Sequence, residues 1–394
     1  MKMSDSGEMP TAKLGPSSTG VRFAFGGRAG QVLQDHFERD VHLAVLSAKF
    51  KLYYRLRPFI PIPLRQWLQR GRNQSIEVSQ SWYLPIDFLN DFQTAIEREG
   101  DAVAIHPWPD GFQMAVSLTH DIETAQGMKW IDQLAAMEEK LGLRSSWNVV
   151  PYKYKVDPCI IKDLQQRGHE VGIQGYNHDG RLYESRRTFM RRSGSINKAI
   201  AKYGSVGFRS PMVHRNFQWL QDLDVQYDAS SFDTDPFQAM PGGVGGVWPF
   251  MVGKFVELPY TLPQDHTLMV SLGETTPRIW LKKLEFLRSM AGMAMVITHP
   301  DYLDSPKRLE IYRRFLDHVA EQTDCWKALP RDVASWWRQR DELEIVDDRI
   351  VGSLASRARL WPLHELAAIM QVASPTSPSV STPDALSLCN EDTF

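Results

Sequence analysis

Leu118-Thr119-His120-Asp121-Ile122-Glu123 is the stretch that decides the fold. Upstream of it, Phe112, Met114, Val116 and Leu118 alternate with their neighbours at the period of a strand. The apolar side chains then stop, and a histidine and two carboxylates follow. In an α/β barrel this is where reactive groups project, because the strand fixes the backbone while its carboxyl end opens to ligand. Asp121 and Glu123 are two residues apart, so an extended chain points both carboxylates into one space. One can hold a metal while its neighbour takes a proton.

Outward from that strand, strand-like and helix-like segments alternate. Residues 127–141, 159–167 and 186–203 read as helices, and 145–150, 169–173, 206–208, 225–228, 255–258 and 293–298 as strands, the last preceded by a helix at 278–290. The repeated order predicts a mostly parallel sheet. The expected fold class is α/β: a distorted (β/α) barrel of about seven strands at residues 108–303, with an N-terminal helical extension and C-terminal helices. Around it we expect a flexible arm at 1–30, a basic amphipathic helical extension and connector at 31–107, helices packed on the barrel at 304–345, and a short helix (360–370) with a disordered tail at 346–394.

With 394 residues, 43% hydrophobic and 11% aromatic, the chain can bury one large core or two modest ones. A net charge of -2 gives no general pull toward nucleic acid. The three cysteines, Cys159, Cys325 and Cys389, are too scattered for a zinc knuckle or a disulfide framework. The first thirty residues have no signal-like apolar core and no apolar run reaches membrane-spanning length, so a cytoplasmic location is expected.

Leu33, Phe37, Val41, Val45, Ala48, Leu52 and Leu56 recur at threes and fours, which predicts one amphipathic helix over 32–57, ended by Pro58. Between Asp40 and Glu77 there is no acid, but there are Lys49, Lys51, Arg55, Arg57, Arg65, Arg70 and Arg72, together with Tyr53, Tyr54, Phe59 and Trp67. Two readings stand: a helix packed on the barrel with a solvated basic face, or peripheral contact of residues 49–72 with the anionic inner face of a membrane.

Polar groups collect just past the strand-like segments: Asp121, Glu123, Asn148, Gln174, His178, Arg209, Asp228, Glu257 and His299. Five motifs occur in order: Thr-His-Asp-Ile-Glu (119–123), Gly-His-Glu-Val-Gly-Ile-Gln-Gly-Tyr-Asn-His-Asp-Gly (168–180), Gly-Phe-Arg-Ser-Pro (207–211), Tyr-Asp-Ala-Ser-Ser (227–231) and Ile-Thr-His-Pro (297–300). This order resembles the polysaccharide deacetylase family, the NodB-homology fold of carbohydrate esterase family 4. The resemblance implies removal of acetyl groups from an N- or O-acetylated glycan with a divalent metal, zinc or a harder ion such as manganese or magnesium. It implies Asp121 as base, His299 as general acid, Arg209 as the arginine that orients the base, and Asp228 as an acid fixing Arg209 or the substrate. It also implies Glu123, Gln174 and His178 as the metal set, with Glu standing where the family has Asp and Gln where it has His. An amide oxygen is a weaker zinc donor than imidazole, so this set is poorer for zinc. Glu257, His266, Trp147 and Tyr176 are candidate substrate contacts. The alternative from a different class is a catalytically impaired barrel that binds a glycan or a partner in exopolysaccharide or cell-envelope biosynthesis.

Overall fold

The computed structural model describes residues 20–41, 46–61, 64, 67–68, 71–72, 86–233, 235, 237–238 and 242–373. Seven parallel strands form its centre: β1 (Met114–Ile122), β2 (Ser145–Val149), β3 (Glu170–Gln174), β4 (Gly207–Arg209), β5 (Tyr227–Asp228), β6 (Phe255–Glu257) and β7 (Met293–Thr298). They lie side by side in the order β6-β5-β4-β3-β2-β1-β7. Antiparallel Phe250–Val252 extends the sheet beyond β6, and Val21–Arg22 beyond that. The free edge of β7 is met by chain on both sides of the strand pair at 250–257. Thr261 and Leu262 donate backbone hydrogen bonds to Met295 (3.2 and 3.1 Å), and Met293 donates to the Val247 carbonyl (2.8 Å). The sheet therefore curls into the distorted, nearly closed (β/α) barrel that the segment order predicts.

All nine residues of β1 are buried, so the alternation before Asp121 marks two covered faces of different character rather than one dry and one wet. His120 turns to the surrounding helices, whereas Thr119 and Asp121 turn to the barrel interior, where Arg209 meets them. The helices follow local signals. Arg186–Tyr203 begins where Ser185 accepts from Thr188 N (3.1 Å) and ends at Gly204 with φ 61°, the residue types those positions favour.

The terminal segments depart from expectation. Residues 20–30, expected as part of a flexible arm, hold Val21–Arg22 and the start of helix Gly27–Val41, with Val21, Phe25 and Ala29 buried. The single helix expected over 32–57 is two, Gly27–Val41 and Ala48–Leu56, the second capped by Ser47; Val45 falls outside the described residues. Leu33 and Phe37 are buried as an amphipathic stripe requires, but Leu52 and Leu56 face solvent. Val103–Ile105, within the expected connector, pairs antiparallel with Leu360–Pro362, and the helix expected at 360–370 is Leu363–Ala373. The tail expected to be disordered lies, from 374 on, outside the described residues.

Candidate active site

At the carboxyl end of the barrel four neighbouring strands each contribute a polar side chain, and all four meet at Asp121. Asp121 Oδ1 accepts from Asn148 Nδ2 (2.8 Å) and Arg209 Nη1 (2.8 Å), and Oδ2 accepts from Gln174 Nε2 (3.0 Å). Strand register explains the convergence, since Asp121 pairs with Asn148 and Gln174 with Arg209. Arg209 is itself locked by Thr119 Oγ1 (2.9 Å), the Ala229 carbonyl (3.0 Å) and the Met295 sulfur (3.4 Å). Both members of the pair are buried, so losing either would strand a charge at a cost of about 3–5 kcal/mol. Asn148 fits only because its neighbour on β3 is Gly172, where an added Cβ would stand 2.0 Å from Asn148 Oδ1.

Beyond the end of β1, Glu123 Oε1 lies 2.9 Å from His178 Nε2 and 3.9 Å from His299 Nε2. Burial opposes the charge of Glu123, but His178 and His299 outweigh it and hold its carboxyl well below the usual range. His178 adopts φ 59°, a left-handed backbone that costs a non-glycine residue about 1–3 kcal/mol and is typically kept at sites that use it. His299, at the end of β7, donates from Nδ1 to Asp265 Oδ1 (2.7 Å), and its backbone N donates to Asp265 Oδ2 (2.6 Å). Burial disfavours the imidazolium, yet Asp265, then Glu123 and Asp121, raise its pKa from 6.5 to about 9. His299 is therefore charged at neutral pH, with its Nε2 3.9 Å from Glu123 Oε1. Asp265, which sequence reasoning passed over in favour of its neighbour His266, is the anion that keeps it so.

Whether this site suits a divalent cation can be judged from the atoms left without partners. Among the described residues, Gln174 Oε1 and His178 Nε2 are buried and take no hydrogen bond; the His178–Glu123 contact is close in distance but not aligned as one. An amide oxygen, an imidazole nitrogen and a carboxylate are donors that such an ion accepts, harder ions more readily than zinc. Among the described residues no three His, Cys, Asp or Glu side chains group to hold a metal without the amide.

Other candidates lie elsewhere. Strand register pairs Phe208 with Asp228 and Asp228 with Glu257, so both carboxylates share the Phe208 face and not the Arg209 face. Asp228 accepts from Ser230 Oγ (2.6 Å) and Glu257 from Ser231 N (2.8 Å); neither orients Arg209 nor lines the mouth with Asp121. Trp147, expected against the substrate, is fully buried and stacks on His120 at 4.0 Å. His120 in turn binds Glu138 (2.7 Å) and Thr298 (2.7 Å), a structural role on the helix side of β1. Tyr176 is half-buried, stacked on Tyr152 at 4.7 Å with Arg192 over its ring. His266 is half-buried, its ring 4.8 Å from that of Tyr302, which also touches His299.

No family model and no curated protein matches this chain. Its structural neighbours include polysaccharide deacetylases. A protein of Mycobacterium smegmatis assigned as a polysaccharide deacetylase is similar at TM-score 0.49 and 20% identity, over 59% of this chain and 93% of its own. One of Pseudomonas aeruginosa PAO1 with the same assignment gives 0.47 and 16%, over 59% and 94%. A PuuE allantoinase gives 0.47 and 14%, over 59% and 93%. At such identities no residue role passes from these structures to this chain.

Proposed function

We propose that this protein is a hydrolase that removes acetyl groups from an N- or O-acetylated polysaccharide or glycan precursor. The observation that carries the reading is a carboxylate clasped by Arg209 at the same barrel mouth as an imidazole kept protonated by a buried aspartate. Asp121 takes the proton of the attacking water, and Arg209 and Asn148 hold its carboxylate in place. His299 gives its Nε2 proton to the departing amine or alcohol, since its Nδ1 is committed to Asp265. Glu123, His178 and Gln174 would hold a divalent cation, whose chemistry is to polarise the acyl oxygen and acidify the water. The order of the five motifs supports the same assignment.

One observation favours a second reading, a catalytically impaired barrel that binds a glycan or a biosynthetic partner. Gln174 donates to Asp121 Oδ2, so three protein donors already occupy the carboxylate that an attacking water would have to reach. Acetate release from a panel of N- and O-acetylated sugars, measured with added zinc, manganese or magnesium, separates the two. Turnover that Asp121→Asn and His299→Ala both abolish supports the hydrolase. No release from any substrate, with glycan binding retained, supports the binding module.

A further inference from the structure

Among the described residues, large apolar side chains left in water concentrate in one short stretch: Leu52, Leu56, Phe59, Leu64, Trp67 and Leu68, with Phe59 83% and Trp67 68% exposed. Within Ala48–Leu56 apolar side chains lie on the inner and the outer face alike. Tyr54 faces inward, its hydroxyl 3.3 Å from His214 Nε2 and its ring against Gly180, where an added Cβ would meet it at 2.5 Å. Arg55 ties the helix to Glu184 at 2.9 Å. Leu52, Tyr53 and Leu56 turn outward beside Lys49 and Arg55, so the solvent face mixes large apolar side chains with positive charge. The surrounding sequence is basic: residues 41–76 contain seven Lys or Arg and no Asp or Glu.

Exposed apolar side chains that include Trp and Tyr, in a cationic stretch of sequence, match the interfacial region of a bilayer with anionic headgroups. A second copy of this chain is a poor occupant, because its own stretch would bring the same positive charge. We infer that helix Ala48–Leu56, with the exposed Phe59, Leu64, Trp67 and Leu68, docks this protein on an anionic membrane surface. No described helix is long and apolar enough to cross a membrane, so the contact proposed is with one face of the bilayer. The helix rests on residues 180–184, just after His178, and Arg57 acts electrostatically on Tyr302, the neighbour of His299. Docking would therefore bring the barrel mouth to the headgroup layer, where the glycans within reach are those carried on lipid or attached to the envelope. This last step rests on the hydrolase reading; the docking itself does not.

The test is sedimentation of the full chain with vesicles of phosphatidylcholine alone or mixed with phosphatidylglycerol, without substrate. Supporting results are binding to the acidic vesicles that falls at least about tenfold from low to high salt, and a similar loss in the Phe59→Ser, Trp67→Ser double variant. Both side chains are exposed, so circular dichroism and melting temperature should not change. Equal binding to both kinds of vesicle, or wild-type binding by the double variant, overturns the inference. So does a concentration-dependent dimer that the double variant abolishes, since these side chains would then belong to a second copy. Vesicle binding is read apart from acetate release, so failure of either reading leaves the other standing.

Discussion

Replacing Asp265 by Asn tests the electrostatic logic of the site at its most buried point. Both Asp265 and His299 are almost wholly excluded from water, so the imidazolium depends on that carboxylate. His299 is lifted from 6.5 to about 9 against the opposing effect of burial. The gap corresponds to on the order of 3 kcal/mol. An amide keeps the shape but removes the charge, so His299 loses the largest of its anionic supports against burial and its pKa falls from about 9 toward 6.5. At pH 7.5 the protonated fraction falls from nearly complete toward the roughly one molecule in ten of an ordinary imidazole. The sign for stability follows from the raised folded-state value: the contribution is fully present below about pH 6.5 and is lost as pH rises through about 9. Asp265→Asn should therefore be most destabilised, relative to wild type, in mildly acidic solution, and the difference should shrink toward pH 10. Histidine NMR titration of chelator-treated protein, with His299→Ala to assign the resonance, reads the midpoint directly. A midpoint that stays near 9 in Asp265→Asn, or a stability gap that does not change with pH, would refute the reasoning.

Three further outcomes are expected. Gln174→His, which replaces an amide oxygen by imidazole, should tighten zinc binding by on the order of 1 kcal/mol or more in calorimetric titration; no gain would mean that positions 123, 174 and 178 do not converge on one ion. Glu138 accepts from Ser145 (2.5 Å) and Tyr312 (2.7 Å) besides its contact with His120, so Glu138→Ala should cost about 3–5 kcal/mol in urea unfolding, and a loss below about 1 kcal/mol would show that the network carries little stability. Burial, with Asp228 beside it, pushes the Glu257 carboxyl well above its usual range, so the folded state holds a proton that the unfolded chain releases as pH climbs past about 4.3. Glu257→Gln removes that penalty and should melt progressively higher than wild type as pH rises from 5 toward 9; parallel melting curves would count against a perturbed carboxyl.

The barrel is legible from sequence because several of its apolar runs give way to a polar residue at or next to the strand end. Asp121, Gln174, Arg209 and His299 all stand at such ends, on β1, β3, β4 and β7. Asp265 has no comparable signal. It stands at the start of the short π-helix His266–Ser271, and its partner is thirty-four residues away, so neither period nor spacing singles it out from Gln-Asp-His-Thr. Asp228 and Glu257 mislead for another reason: β5 has only two residues, too few for alternation to tell which face a side chain takes, and only the register with β4 and β6 decides. The hairpin Glu344–Val346 and Arg349–Val351 escapes notice because Asp347 and Asp348, both at positive φ, fill a turn more often announced by Asn-Gly. The pairing of Val103–Ile105 with Leu360–Pro362 joins segments far apart in the chain, beyond the reach of any local pattern.

Gly172 has a consequence for how this barrel can change. It is neither acid, base nor ligand, yet the space above its α-carbon is occupied by the Asn148 amide that steadies Asp121. Even alanine there would push Asn148 aside and leave Asp121 with two donors instead of three, a loss of alignment with no reactive group removed. The proposed activity is thus open to quiet failure through a single methyl group. The empty position on β3 is as much a part of the candidate site as the side chains that surround it.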